Sequence, residues 1–460
     1  PYDGHRDMYL DEEGNVREGK STNGHLAAGV PGSVAGMISA HERYGTMAFA
    51  ELIQPAIDIA NNGFEVTQKQ ARNLNAFQER FEKNNLHKTQ FQKDSPWKPR
   101  DLLVQKDLGA ALLRVSLSGF NGFYRGKTAD LIVDEMKRGG GLITHKDLAA
   151  YEAKWRQPIL MNYNGHSLIS MPPPSSGGIC LSQLLGMVGQ YDIGELGFHT
   201  PESVHLMVEA ERRAYSDRAQ HLGDSDFYKV PQEDLLSRNY LKERMADFSW
   251  ESSNTSEQVE AGQFPQESEE TTHYSIVDAE GNAVSITTTI NSGYGAKTVV
   301  EGAGFILNNE MDDFSIKIGH PNFYGLVGTE ANAIEPGKRM LSSMTPTIVT
   351  RDGQLYMVIG TPGGSTIITS VFQVFLNVVD FGMSLPEAVS AGRFHHQWLP
   401  DMVFYEEGAL DAETIEKLEG LGHTTKQRGG IGRVDAILCM PDGTLIGAAD
   451  PRGDDHAAGF

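Results

Sequence analysis

Residues 269–278 read EETTHYSIVD, and the character of the chain changes there. The twenty residues that end at Glu270, ESSNTSEQVEAGQFPQESEE (251–270), are polar and acidic and carry Pro265. A segment of that composition buries too little apolar surface to offset its ordering entropy, so 251–270 is expected to be a mobile linker. Directly after it Thr272, Tyr274 and Ile276 alternate with His273, Ser275 and Val277, the period of a β-strand. Asp278-Ala279-Glu280-Gly281-Asn282 follows, then Ala283 to Thr289, which predicts a hairpin with a short Gly-containing loop. With Ala279-Glu280-Gly281 as the loop, Asp278 opposes Asn282, and counting back along the ladder sets Thr271 across from Thr289 on one face. Two hydroxyls therefore meet at the first residue of a strand.

A Thr hydroxyl is a poor nucleophile at neutral pH unless a base stands beside it. One such base is the α-amine of the same residue, which requires the Thr to be N-terminal. Thr271 gains that amine only if the Glu270–Thr271 bond is cut. On the hairpin alone, the opening of an ordinary strand is the better explanation of a Thr pair.

Downstream lie further groups that carry chemistry. Asn291-Ser292-Gly293-Tyr294-Gly295 is a polar loop, and Asn308 to Asp313 packs Glu310, Asp312 and Asp313 into four residues. Such a patch suits a metal, an ammonium group or nothing at all. It lacks the order of a calcium-binding EF-hand loop. The paired hydroxyls of Ser342-Ser343 can donate to a carboxylate. A strand, Leu355 to Ile359, delivers Gly360-Thr361-Pro362-Gly363-Gly364-Ser365 to a helix beginning at Thr366. Backbone N–H groups there suit an oxyanion, and phosphate is the rival ligand. The adjacent His395-His396 has no third ligand in view, and no metal or cofactor is expected.

TTHYSIVD (271–278), NNEMDDFS (308–315), MLSSMTPTIV (340–349), GTPGGS (360–365) and RFHHQWLPD (393–401) together resemble the γ-glutamyltranspeptidases, members of the N-terminal-nucleophile hydrolases. The resemblance continues upstream through HLAAGVPGSVAGM (25–37), YGTMAFAELIQPAIDIANNGF (44–64), SMPPPSSGG (170–178) and HLMVEAERRAYSDRAQHLGD (205–224). It implies a four-layer αββα sandwich of α+β class, made as a precursor. Cleavage after Glu270 would yield a helical large segment, 1–270, and a strand-rich small segment, 271–460, that stay together as a heterodimer. Thr271 matches the nucleophile and Thr289 its hydrogen-bonding partner. Gly363 and Gly364 match the oxyanion hole. Asn291, Glu310 and Asp313 match the holders of the substrate α-ammonium, and Ser342 and Ser343 the carboxylate binders. Tyr324, in HPNFYGLV (320–327), resembles the aromatic of a lid loop. Glutathione is the implied donor, with water, an amino acid or a peptide as acceptor. The family's stretch ahead of the segment matching RDMYLDEEGN (6–15), with its signal sequence and a carboxylate-binding Arg, has no counterpart here. Periplasmic or secreted placement is implied by the family alone. The alternatives are a related amidase, such as a glutaryl-cephalosporin acylase or a poly-γ-glutamate enzyme, and an unprocessed binding homologue.

Composition sets outer limits. The 460 residues hold 61 Asp and Glu against 39 Lys and Arg, a net charge of −22, which disfavours nucleic acid and anionic membranes as partners. No apolar run reaches the roughly 18–20 residues of a membrane span. Ile367 to Phe381, broken by Thr369, Ser370, Gln373, Asn377 and Asp380, is expected as a buried helix. Two cysteines, Cys180 and Cys439, exclude a disulfide framework, and both are expected as free buried thiols. Upstream, helices are expected over Val34 to Tyr44, Phe49 to Asn62, Thr67 to Lys83, Asp107 to Ser116 and Lys127 to Arg138. Leu52, Ile53, Ala56, Ile57 and Ile59 are read as one face of the second. Thr144 with Asp147 reads as a capping box, Tyr163 to Ser170 as a strand, Ile179 to Val188 as an apolar helix, and Thr200-Pro201-Glu202 as the start of a long one. Asp217 and Arg218 on that helix are read as structural ion pairs.

Overall fold

The computed structural model describes residues 1–256 and 271–460, which divide into two compact units. The first comprises Pro1–Trp155, Ile290–Asp312 and Ile334–Gly337. Its main helices are α1 (Ser33–Tyr44), α2 (Phe49–Asn62), α3 (Lys106–Ser118) and α4 (Gly126–Gly139). Gly139-Gly140-Gly141 closes α4, with Gly140 at φ 76°, a left-handed conformation that glycine adopts freely. Thr67 forms a capping box with Gln70, but the helix it starts breaks at Phe77 into Gln68–Ala76 and Gln78–Asn84. On α2 the buried residues are Ile57 and Ala60 with Ile53 half-buried, while Leu52 and Ile59 are exposed. The inward stripe is thus i, i+4, i+7, narrower than the face expected from sequence. The core of the unit gathers Phe123, Tyr124, Ile132, Met136 and Leu148 with Val300 and Leu307.

The second unit comprises Arg156–Thr289, Asp313–Ala333 and Lys338–Phe460. Its main strands are β1 (Ile159–Tyr163), β2 (His166–Ser170), β3 (Thr272–Val277), β4 (Ala283–Thr288), β5 (Thr347–Arg351), β6 (Gln354–Gly360), β7 (Asp435–Cys439) and β8 (Leu445–Ala448), beside a small three-stranded sheet of Phe394–His395, Val403–Glu406 and Thr425–Arg428. Its principal helices are α5 (Gly177–Val188), α6 (Pro201–His221) and α7 (Ile367–Val379). A six-stranded antiparallel sheet runs in the order β8-β7-β6-β5-β2-β1. The single strand expected over Tyr163 to Ser170 is in fact the turn and second arm of a hairpin. Asn164 and Gly165, at φ 44° and 75°, make its two-residue turn, the conformation that an Asn-Gly pair favours.

Met357 and Ile359 of β6 join the core built by α5, α6 and α7. Alternation points Val358 and Gly360 to the opposite face, where the hairpin β3–β4 lies. Ser285 Oγ donates to the Ile359 carbonyl at 3.0 Å and Ser275 Oγ to the Asp435 carbonyl at 3.2 Å. Helices, sheet and hairpin are stacked in that order, and the α+β class holds. Within this unit the second β-layer is the hairpin.

Two further expectations change in part. Asp217 stands in a structural ion pair as expected, with Arg244 at 3.2 Å, whereas Arg218 bonds two serine hydroxyls instead. The segment from residue 251 to Ser256 is docked, not loose. Ser253 N donates to the Leu421 carbonyl at 2.7 Å, Asn254 N to Glu209 and Ser256 N to Asp401. The rest of the predicted linker, with Glu270, lies outside the described residues. Among the described residues no helix is long and apolar enough to cross a membrane.

Candidate active site

The hairpin register is the one read from sequence: Thr272 opposes Thr288 and Val277 opposes Ala283. One step further back, Thr271 Oγ1 donates to Thr289 Oγ1 at 3.1 Å. Thr271 is 3% exposed, so water has little access to its hydroxyl. Its carbonyl accepts from Arg433 Nη2 at 3.4 Å, and Arg433 N donates to Thr361 Oγ1 at 2.8 Å. Arg433 therefore ties the head of β3 to the glycine loop. His273, the next inward residue, is held between Thr287 Oγ1 (2.8 Å) and Ser275 Oγ (3.0 Å). Burial drives its imidazole down to about 3, which keeps it neutral.

The loop that ends β6 needs its glycines. Gly363 has φ 141° and Gly364 φ 54°, and a Cβ on Gly364 would lie 2.4 Å from Tyr324 Cε1. The Tyr324 ring thus packs directly on the loop. Its segment is braced by Asn322, whose Oδ1 accepts from Tyr324 N and Leu326 N and whose Nδ2 donates to Asp313 Oδ1 at 3.3 Å. Asn332 Nδ2 donates to the Asp313 carbonyl at 2.7 Å, and its Oδ1 accepts from Leu341 N at 3.0 Å. It links the Asp313 turn to the serine pair.

Ser342 and Ser343 sit on a ledge pinned by the loop before α5. Ser342 N donates to the Pro174 carbonyl, while both Ser176 N and Ser176 Oγ donate to the Ser342 carbonyl at 2.8 Å. Ser343 Oγ accepts from Arg218 Nη2 at 3.2 Å. The Ser175–Gly178 turn holds this ledge, with Ser175 Oγ donating to the Met344 carbonyl at 2.7 Å.

The remaining two predicted residues belong to the first unit. Asn291, buried with φ 73°, donates from Nδ2 to the Asn309 carbonyl at 3.0 Å. Asn308 fixes the chain by exchanging bonds with Gly29 at 2.9 and 3.0 Å. Glu310 Oε1 is buried without a hydrogen-bond partner among the described residues, and desolvation holds this carboxyl above its ordinary range. A buried carboxylate oxygen in that condition is short of a cation or donor. Asp312 instead accepts from Ser21 at 2.5 Å and is structural.

Sequence reasoning missed Arg218, Asn322, Asn332 and Arg433. Arg218 and Arg433 act through partners 125 and 162 residues away, which no local spacing signals, whereas Asn322 and Asn332 brace loops through nearby residues that carry no regular period. It also missed the buried cluster His205, Glu209 and His423, whose ligand-type atoms lie together. There His205 Nδ1 and His423 Nε2 are 2.7 Å apart, a hydrogen bond, and Glu209 pairs with Arg212 and Arg213. His395 and His396 are likewise engaged, by Thr369 and Gln397 and by Asp401.

The fold is that of the N-terminal-nucleophile hydrolases: the crystal structure of cephalosporin acylase from Bacillus halodurans superposes with a TM-score of 0.84 at 25% identity, covering 99% of this chain and 83% of that one. The whole chain, residues 1–460, matches the family described as Gamma-glutamyltranspeptidase. It is 44% identical over 459 residues to the glutathione hydrolase proenzyme of Escherichia coli, covering 99% of this chain and 79% of that relative. It is 47% identical over 455 residues to the one from Pseudomonas aeruginosa, covering 97% and 80%. The chain belongs to the γ-glutamyltranspeptidase family.

Proposed function

We propose that this chain is an autoprocessed γ-glutamyl acyl transferase and hydrolase that uses glutathione and related γ-glutamyl compounds as donors. The observation that carries the reading is the Thr271–Thr289 hydroxyl pair at the head of β3, 3.1 Å apart and closed to water. Cleavage of the Glu270–Thr271 bond gives Thr271 a free α-amine. That amine takes the Oγ1 proton as Oγ1 attacks the γ-carbonyl carbon. The N–H groups of Gly363 and Gly364 receive the oxyanion, and the proton passes to the departing amine. The γ-glutamyl–Thr271 ester then reacts with water, an amino acid or a peptide, which restores the hydroxyl. Thr289 orients the nucleophile throughout.

Asn291, Glu310 and Asp313 are assigned to the α-ammonium of the donor, Ser342 and Ser343 to its α-carboxylate, and Tyr324 to the cover over the glycine loop. The unpartnered Oε1 of Glu310 supports a cationic ligand. The same groups weigh against the closest rival, an amidase for plain glutaryl side chains, which lack the ammonium. Residues 1–270 and 271–460 are taken as the two products of processing, held as a heterodimer, and the family resemblance supports a periplasmic or secreted enzyme.

Intact mass on purified wild type and Thr271→Ala tests the reading. Two masses divided between Glu270 and Thr271 for wild type, with a single mass for the variant, are expected. A single uncut wild-type chain would overturn it. Turnover of a γ-glutamyl anilide in preference to a glutaryl anilide is expected next, and the reverse preference would return the acylase reading.

A further inference from the structure

Arg218 is 5% exposed on α6, and among the described residues no carboxylate lies within ion-pair distance of it. An isolated buried guanidinium is costly and is normally paired. Its neighbours on α6 follow that rule: Arg212 and Arg213 both meet Glu209, at 3.2 and 2.6 Å. Arg218 instead spends its donors on two hydroxyls, Nε on Ser176 Oγ at 3.0 Å and Nη2 on Ser343 Oγ at 3.2 Å. Burial works against its charge, and the acidic groups that favour that charge are Cys180, Tyr215 and Asp313.

The direction of these bonds has a chemical consequence. A guanidinium only donates, so both hydroxyl oxygens must accept from it. Ser176 then sends its own proton to the Ser342 carbonyl, 2.8 Å away. Ser343 has its lone pair occupied from behind, and its proton is left to donate forward. A hydroxyl fixed as a donor, with a positive charge behind it, recognises a carboxylate and discriminates against a neutral amide.

We propose that Arg218 is a positioning residue of the α-carboxylate subsite: it orients the Ser343 hydroxyl as a donor and sets a positive charge behind it, which sharpens selection of donors with a free α-carboxylate. The proposal rests on the γ-glutamyl reading above and assigns a residue to it that neither motif nor spacing indicated. The ligand's own carboxylate becomes the counter-ion that the protein does not supply within reach.

The test compares γ-glutamyl-p-nitroanilide with its α-carboxamide analogue on the full chain, in wild type, Arg218→Gln and Arg218→Lys. For the carboxylate donor, Arg218→Gln is expected to raise KM by roughly 10- to 100-fold, the scale of one charge-assisted hydrogen bond, with kcat changed far less. For the carboxamide donor kcat/KM should stay near wild type, so selectivity collapses. Arg218→Lys keeps the charge but not the fork, and should restore part of the selectivity. It also serves where the Gln variant does not fold. An equal loss on both donors in Arg218→Lys, or wild-type selectivity in either variant, would overturn the proposal alone. A wild type that turns over neither anilide would overturn it together with the reading beneath it.

Discussion

Replacing Thr289 by Val removes one oxygen and little volume. In the wild type that oxygen accepts the proton of Thr271 Oγ1 over 3.1 Å, and Thr271 is 3% exposed. Water cannot readily replace the lost acceptor. The neutral bond itself is worth about 0.5–1.5 kcal/mol, and a buried hydroxyl left without it costs about 1–3 kcal/mol. If that energy is expressed in placing Oγ1 for attack, kcat/KM should fall by roughly 5- to 150-fold, at 1.36 kcal/mol per factor of ten. Thr289→Ser keeps the acceptor and should stay within a few-fold of wild type. The assay is anilide turnover at limiting donor, normalised to the processed fraction measured by intact mass, because processing uses the same hydroxyl. A processed Thr289→Val enzyme with wild-type kcat/KM would refute the reasoning. So would equal losses in the Val and Ser variants, since the oxygen would then not be what matters.

Gly364→Ala forces a side chain into φ 54° and sets its Cβ 2.4 Å from Tyr324 Cε1. A loss of about 1–2 kcal/mol for the backbone and about 1–3 for the overlap is expected in urea unfolding, and Tyr324→Ala in the same chain should cost less than it does alone. Asp435 on β7 is held up to about 7 by desolvation and by repulsion from Asp455 and Asp450. A raised carboxyl favours folding when protonated, so its contribution is full below about 4 and is lost as pH rises through 7. Asp435→Asn should therefore be neutral near pH 4 and stabilise near pH 8 by the order of 1 kcal/mol, discounted for partial exposure, as read from melting temperatures. Cys180 is buried with its thiol pushed up to about 12, whereas Cys439 is only half-buried. Iodoacetamide at pH 8 should add at most one group to the native protein, on Cys439, and a second only after denaturation, as counted by mass.

What could be read from sequence was what depends on neighbours along the chain. The β3–β4 register followed from a period of two and one glycine loop, and it placed Thr271 opposite Thr289 without any tertiary information. The β1–β2 hairpin was equally local, and the Asn164-Gly165 pair carried its signal, but the alternation on one side was taken for the whole strand. Helix α6 was expected as a long helix, but nothing in its sequence signalled that Glu209, Glu211, Arg212, Arg213, Asp217 and Arg218 are all buried on it. Arg218 was read as part of an ion pair, and its partner Ser343, 125 residues away, is not signalled locally. The motifs named groups that face a ligand; Arg218, Ser176 and Asn322 lie inside quoted stretches, but nothing local showed which groups they hold.

The proposed cut after Glu270 divides the sequence where the sheet does not divide. Strands β1 and β2 precede the cut and β5 follows it, yet β2 and β5 pair from His166–Arg351 to Ser170–Thr347 within one six-stranded sheet. The serine ledge repeats the arrangement: Ser176 and Arg218 lie before the cut, and the Ser342 carbonyl and the Ser343 hydroxyl that they hold lie after it. Neither product can close that sheet or build that ledge alone, because each half would expose an unpaired strand edge and the core behind it. Folding must therefore precede cleavage. The precursor assembles Thr271 against Thr289 while the chain is continuous, and the cut then adds only the α-amine. On that proposal, processing changes the chemistry of Thr271, and the pairing of β2 with β5 holds the two products together.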